Sequence, residues 1–194
     1  MKQTHVEPSE SQTWASGGTA SLYLIGAVHM GIFAFATGQV NRDYAPLLGL
    51  WMAGCAVVLL LLAMVELRRG EMLFGTIGSV FGGLLGLGGA LSFIRQLWIP
   101  GISAMDGWFL LSAAIIFFLL LPAVKKTSLL LFAGIMEEGI GLTILSLSMM
   151  GATRSPELLI KVAGWMALVF TLFCWYEATA QIVNTVYKRR ILPF

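Results

Sequence analysis

Six apolar runs, each long enough to cross a bilayer as a helix, decide what this chain can fold into. They lie near residues 20–38, 46–66, 73–94, 107–124, 127–150 and 158–186, and each is bounded by charged residues, glycine or proline. A helix needs roughly 20 residues to cross the hydrocarbon, and within lipid each such segment must be helical to satisfy its own backbone hydrogen bonds. The expected fold is therefore all-α and integral to the membrane, a bundle of six transmembrane helices with very short connections. Composition agrees: 58% of residues are hydrophobic and 11% charged, against about 25% charged in an ordinary soluble domain. In 194 residues the six runs leave no room for a soluble catalytic domain, and no nucleic-acid partner is expected.

Residues 1–17, MKQTHVEPSESQTWASG, are polar and acidic and are expected to form a disordered tail. No compact basic leader precedes the first apolar run and no small-residue cleavage site follows it, so that run is expected to remain as a helix. The membrane domain is then 18–187, with a short basic tail at 188–194. Charge placement orients it. In a six-span arrangement Lys2, Arg68, Arg69, Lys125, Lys126, Lys188, Arg189 and Arg190 fall on one side, and Arg42, Arg95, Arg154 and Lys161 on the other. Positive charge is retained in the cytoplasm, so both termini are expected there, and the protein in the cytoplasmic (inner or plasma) membrane. Cys55 and Cys174 lie inside apolar runs, where a thiol packs as a small hydrophobe; neither their number nor their spacing suggests a disulfide framework, a metal site or a cofactor.

The third run reads FGTIGSVFGGLLGLGGAL. A nucleotide-binding reading fails, because no strand precedes it, no Lys-Ser/Thr ends it and no acid is placed for a ribose. Gly78, Gly82, Gly86 and Ala90 instead recur every four residues and make a strip without side chains, the kind of surface that lets two helix backbones approach in lipid.

Three acids stand apart from the other seven. Glu7, Glu10, Asp43, Glu66, Glu71, Asp106 and Glu157 sit in tails, loops or helix ends, whereas Glu137 and Glu138 lie at the middle of the fifth run and Glu177 about one turn from the middle of the sixth. Each ionised acid at such depth costs roughly 2.5 to 3.5 kcal/mol on insertion scales. All twelve Lys and Arg residues are in tails, loops or helix ends, so no cation in the chain can offset them. Protonation on losing solvent or contact with a hydrated cavity remains, and either implies a polar interior.

In the sixth run Glu177, Gln181 and Asn184 recur at i, i+4 and i+7, flanked by Tyr176, Thr179 and Thr185. Such a stripe either lines a passage or hydrogen-bonds to neighbouring helices. Adjacent residues on a helix point about 100° apart, so only one of Glu137 and Glu138 can face a central passage squarely; the other meets another helix or another subunit. His29, in the first run, reads as a hydrogen-bonded packing residue.

The segment 163–193, AGWMALVFTLFCWYEATAQIVNTVYKRRILP, resembles the last helix and tail of the acetate/succinate uptake transporter family. Ala163, Gly164, Trp165, Tyr176, Asn184, Leu192 and Pro193 fall at that family's spacing without a gap. A second stretch resembles its helix 2 running into helix 3: Glu66 and Gly70 match E-x-x-x-G, Phe74 and Gly75 match Phe-Gly, and Phe81 and Gly82 stand for Tyr-Gly. The resemblance implies a small six-helix, proton-linked channel for acetate and related carboxylates, assembled as a homo-hexamer with a pore in each protomer. It also locates departures. Where the family opens helix 1 with Asn-Pro-x-Pro-Leu-Gly-Leu, residues 18–24 here read GTASLYL. Where its constriction is a Phe, a Tyr and a Leu, the matching residues are Ala27, Phe81 and Glu137, which would place Glu137 in the pore.

An ionised Glu137 there would repel acetate, so passage would require a protonated Glu137 or a solute crossing as its neutral acid. A second reading is a channel for small neutral amides or urea, which resembles this chain in its six helices and in its candidate pore acids. A third is a membrane subunit that transports nothing. No nucleophile–base pair or metal-ligand cluster supports an enzyme. The expected function is a channel or proton-linked transporter for acetate or a similar monocarboxylate. The residues expected to line its passage are Glu137, Glu177, Phe81, Tyr176 and Asn184, with Glu138, Ala27 and Gln181 beside them.

Overall fold

The computed structural model describes residues 15–101 and 103–193. Among these residues, six helices are long and apolar enough to cross a membrane. They are α1 (Gly18–Ala36), α2 (Ala45–Arg68), α3 (Met72–Arg95), α4 (Ala104–Val124), α5 (Leu129–Met149) and α6 (Pro156–Tyr187). The protein is an all-helical, multi-pass membrane protein, and each helix falls within a few residues of its apolar run. Glycine makes the short turns possible: Gly70 follows α2 at φ 83° and Gly151 follows α5 at φ 71°, conformations strained for any residue with a Cβ.

Residues 1–14, with Lys2, lie outside the described residues. The last three residues expected in a disordered tail are ordered. The Ser16 hydroxyl donates to Glu66 Oε1 at 2.7 Å, and the backbone N–H groups of Gly17 and Gly18 donate to the same oxygen. The start of α1 therefore sits at the end of α2, and Thr19 donates to Gln181 near the end of α6 at 2.9 Å. We call this end of the bundle the tail side and the opposite end the far side.

Two of the seams in the bundle are made by different means. Along α1 and α6 the contact is close and polar: Thr171 donates to Gly26 O at 3.1 Å, the Trp175 indole to Tyr23 O at 3.2 Å, and the Tyr23 and Thr179 hydroxyls meet at 2.8 Å. Along α2 and α3 the contact is apolar. A Cβ on Gly78 would lie 3.1 Å from the Ala63 Cβ, one on Gly82 3.1 Å from Leu60 N, and one on Gly86 2.7 Å from the Ala56 Cβ. Side-chain-free turns of α3 thus lie directly on the small residues of α2, which brings the backbones within van der Waals reach where lipid supplies no hydrophobic drive. Over Val80–Gly88 α3 widens into a π-helix, and its glycines have no side chains to crowd the wider turns. Phe81 leaves that segment toward the middle of the bundle, where it meets Phe117 of α4 and Phe170 of α6.

Candidate functional site

A string of cavities runs lengthwise through the bundle. On the tail side a vestibule of about 300 Å³ is lined by Ser21, Glu66, Arg69, Glu177 and Gln181. It leads to a void of about 30 Å³ between Ile25, Phe81, Phe170 and Glu177. Beyond the aromatic rings lies a cavity of about 100 Å³ containing His29 and Glu138, and beyond that a far-side cavity of about 590 Å³ reaching Arg42, Asp43 and Gln96. Neighbouring cavities share walls: Ile25 and Glu177 border the first two, Phe81 the second and third, Ile32 and Phe93 the third and fourth.

Aromatic rings separate the vestibule from the third cavity. Phe81 and Phe170 lie nearly parallel, 15° apart with centroids at 5.8 Å, and Phe117 stands 4.9 Å from Phe81. His29 presents an edge to Phe170 at 4.8 Å and to Phe81 at 6.1 Å. Its Nε2 lies 3.1 Å from Glu138 Oε1, and its Nδ1 lies 2.8 Å from Ile25 O. Both side chains are buried, at 7% and 5% exposure. Most of the other residues around this cavity are apolar, among them Val28, Met52, Leu59 and Leu142. The waist of the bundle is thus hydrophobic apart from one hydrogen-bonded His–Glu pair.

This geometry corrects several expectations. Glu138, not Glu137, borders the cavity string, and it has a partner within the chain, so a cation is not the only group able to offset a central acid. His29, expected to be a hydrogen-bonded packing residue, is that partner. Glu137 borders none of the four cavities. It lies on the α5 strip that includes Gly134 and Gly141, which face Phe170, Phe173 and Met166 of α6. Neither carboxylate oxygen of Glu137 has a hydrogen-bond partner among the described residues. Ala27 is exposed on the outer face of α1, one helical step of about 100° from the buried Gly26. Of the three residues matched to the family's constriction, only Phe81 borders the string.

The polar stripe of α6 divides. Glu177 and Gln181 line the vestibule, with Gln181 donating to Glu177 Oε1 at 3.5 Å. Tyr176 and Asn184 do not; they bind the tail. After α6 the backbone turns through Lys188 at φ 51° and doubles back. Asn184 then donates to Leu192 O at 2.8 Å and accepts from the N–H groups of Ile191 and Leu192 at 2.6 and 2.9 Å. The Tyr176 hydroxyl donates to Pro193 O at 2.6 Å. Four residues that carry the family resemblance, Tyr176, Asn184, Leu192 and Pro193, are therefore a clasp for the C-terminal segment. Glu66, which sequence reasoning left among the helix ends, is buried at 3% exposure and borders the vestibule. The signal for it was local: three residues before Arg69 and four before Gly70, in a stretch already matched to E-x-x-x-G.

Neither a protein-family model nor a curated protein sequence matches the chain. Among solved structures it is similar to the bacterial acetate channel SatP, with a TM-score of 0.83, over 93% of this chain and 99% of that one, at 14% sequence identity. At that identity the likeness establishes a shared six-helix fold. It agrees with the family resemblance read from residues 163–193 and from the α2–α3 junction.

Proposed function

We propose that the protein is a membrane channel for acetate or a similarly small monocarboxylate. The observation that carries this reading is the string of cavities through one protomer, pinched at Phe81 and Phe170 and polar at its waist only at His29 and Glu138. An apolar waist with a single hydrogen-bonding pair favours a small solute with one polar end and one apolar end. The fold shared with an acetate channel supports the same class. The bias of positive charge toward the tail side supports both termini in the cytoplasm and residence in the cytoplasmic membrane. The family resemblance supports a homo-hexamer, which native mass measurement of the purified protein would count.

One observation favours a second reading. The waist pairs its acid with a histidine and holds no Lys or Arg, so a neutral amide would enter without the cost an anion incurs. Uptake of labelled acetate and acetamide into proteoliposomes, corrected for protein-free vesicles and repeated across a pH range, separates the two. The acetate reading expects protein-dependent acetate uptake that rises as pH falls. Acetamide uptake indifferent to pH would transfer the assignment to the amide class, and movement of neither solute would leave a membrane subunit without transport.

A further inference from the structure

The waist pair has a fixed proton count. Ile25 O can only accept, so His29 Nδ1, 2.8 Å away, carries a hydrogen. The 3.1 Å contact between Nε2 and Glu138 Oε1 then needs one more proton, because without it two lone pairs would face each other in a nonpolar cavity. With that proton the pair is either imidazolium and carboxylate or imidazole and carboxylic acid, and it is neutral in both forms. The other titratable groups around it are few. Glu137 is the adjacent residue on α5, and Cys174 and Glu177 of α6 line the small void across the aromatic rings. Toward the cavity α2, α3 and α4 turn Met52, Leu59, Phe81 and Leu110, none of which titrates.

A bare carboxylate entering this cavity would leave a net negative charge at mid-bundle, where the surroundings offer little compensation. We propose that His29 and Glu138 form a carboxylate-binding site that takes up one proton with each anion. The solute enters with one proton from the aqueous phase, either as its neutral acid or beside a hydronium ion; that O–H bond breaks as an O–H bond forms on the Glu138 carboxylate, which leaves the solute as its anion. The imidazolium N–H of His29, released from Glu138, then donates to the solute carboxylate. One anion and one proton have entered, and the site remains neutral. On departure the Glu138 O–H bond breaks, its proton leaves with the anion, and the pair closes again. This mechanism rests on the acetate reading and adds its coupling residue.

Membrane potential supplies the test, since an uncompensated anion carries charge and an anion with its proton does not. Labelled acetate uptake is followed in proteoliposomes clamped at set potentials with potassium gradients and valinomycin. Wild-type uptake is expected to be indifferent to potential. For a bare anion, about 100 mV changes the equilibrium distribution by roughly 50-fold. Glu138→Gln keeps a hydrogen-bond donor for His29 but cannot bind the proton. Its uptake is expected either to follow potential or to fall by roughly tenfold or more, the scale of one lost charge-assisted hydrogen bond. His29→Gln, which removes the cation and keeps an amide near Glu138, is expected to lose uptake similarly; both variants are first checked for monodispersity and an unchanged helical spectrum. Potential-dependent uptake by the wild type, or a folded Glu138→Gln protein with wild-type rate and indifference to potential, overturns the coupling role while leaving an acetate channel. No acetate uptake by the wild type at any potential overturns both.

Discussion

Glu66 and Glu138 are almost equally buried, at 3% and 5% exposure, and they are held by opposite kinds of donor. At the tail side Glu66 accepts from Ser16 and from the first backbone N–H groups of α1, with the Arg69 Nε 3.7 Å from its second oxygen. Those donors cannot change their proton count at any pH the protein meets, and the positive end of the α1 dipole adds a fixed field of the same sign. Glu66 therefore acts as a cap supplied by a neighbouring helix. At the waist Glu138 has one side-chain partner among the described residues, the imidazole of His29, and no backbone N–H or Arg beside it. A buried acid held by several fixed donors anchors structure, and one held by a single side-chain donor can release that donor to what passes it.

Removing the fixed-donor acid should have the largest effect on stability. Glu66→Ala removes the acceptor shared by three donors at the start of α1 and is expected to cost roughly 3 kcal/mol, read as a lower thermal midpoint in detergent. Glu66→Gln, whose amide oxygen still accepts, should recover part of that. If Glu66→Ala left the midpoint unchanged, the distinction between the two acids would collapse. A smaller effect is expected from Gly86→Val, which places a branched side chain where a Cβ alone would already lie 2.7 Å from Ala56 and 2.8 Å from Phe81 O. Separating α3 from α2 should cost about 2 kcal/mol and shift Phe81, so stability and acetate uptake should fall together. A stable variant with unchanged uptake would show that the waist does not depend on this seam.

The clasp at the end of α6 allows a finer test of the same contrast, because it lies on the tail side yet borders no cavity. Asn184→Ala removes three hydrogen bonds to the tail, partly exposed ones, and should cost about 1 kcal/mol. The freed segment should then be cut by trypsin after Arg189 or Arg190 while acetate uptake stays at the wild-type level. Altered uptake would mean that the tail communicates with the vestibule, and Asn184 would belong with Gln181 after all.

How much of this was readable in the chain depends on what each residue needed. Helices needed only long apolar runs, so all six stand where residues 20–38 through 158–186 put them. The strip of Gly78, Gly82 and Gly86 was visible as a repeat, but its partners Ala56 and Ala63 on α2 emerge only when the helices are placed side by side. Depth, too, was readable. His29 and Glu138 stand at similar distances from Gly18 and Leu129, where α1 and α5 both begin on the tail side, and counting from that side would have paired them. Rotation was not readable: Glu137 and Glu138 differ by about 100° about one axis, and a distant alignment cannot fix a register to one residue. The α6 stripe misled for a different reason. Its pattern is continuous on the helix, but the chain beyond Lys188 returns along one side of it and claims Asn184 and Tyr176.

Glu137→Leu isolates that rotation, and the smallest effect on uptake is expected from it. The substitution replaces the acid with the leucine expected at that position from the family resemblance, so a pore-facing Glu137 predicts a large change in selectivity on its removal. Here Glu137 borders none of the cavities and both its oxygens lack partners among the described residues. Its carboxyl group is then a cost at this depth, and leucine, of similar volume, should raise stability by about 1 kcal/mol while acetate uptake and its preference over acetamide stay unchanged. A changed preference would place Glu137 in the solute's path. A loss of stability, or of assembled mass, would instead assign its carboxylate to a neighbouring copy, because only a partner outside the protomer could make an unpaired acid worth keeping between α5 and α6.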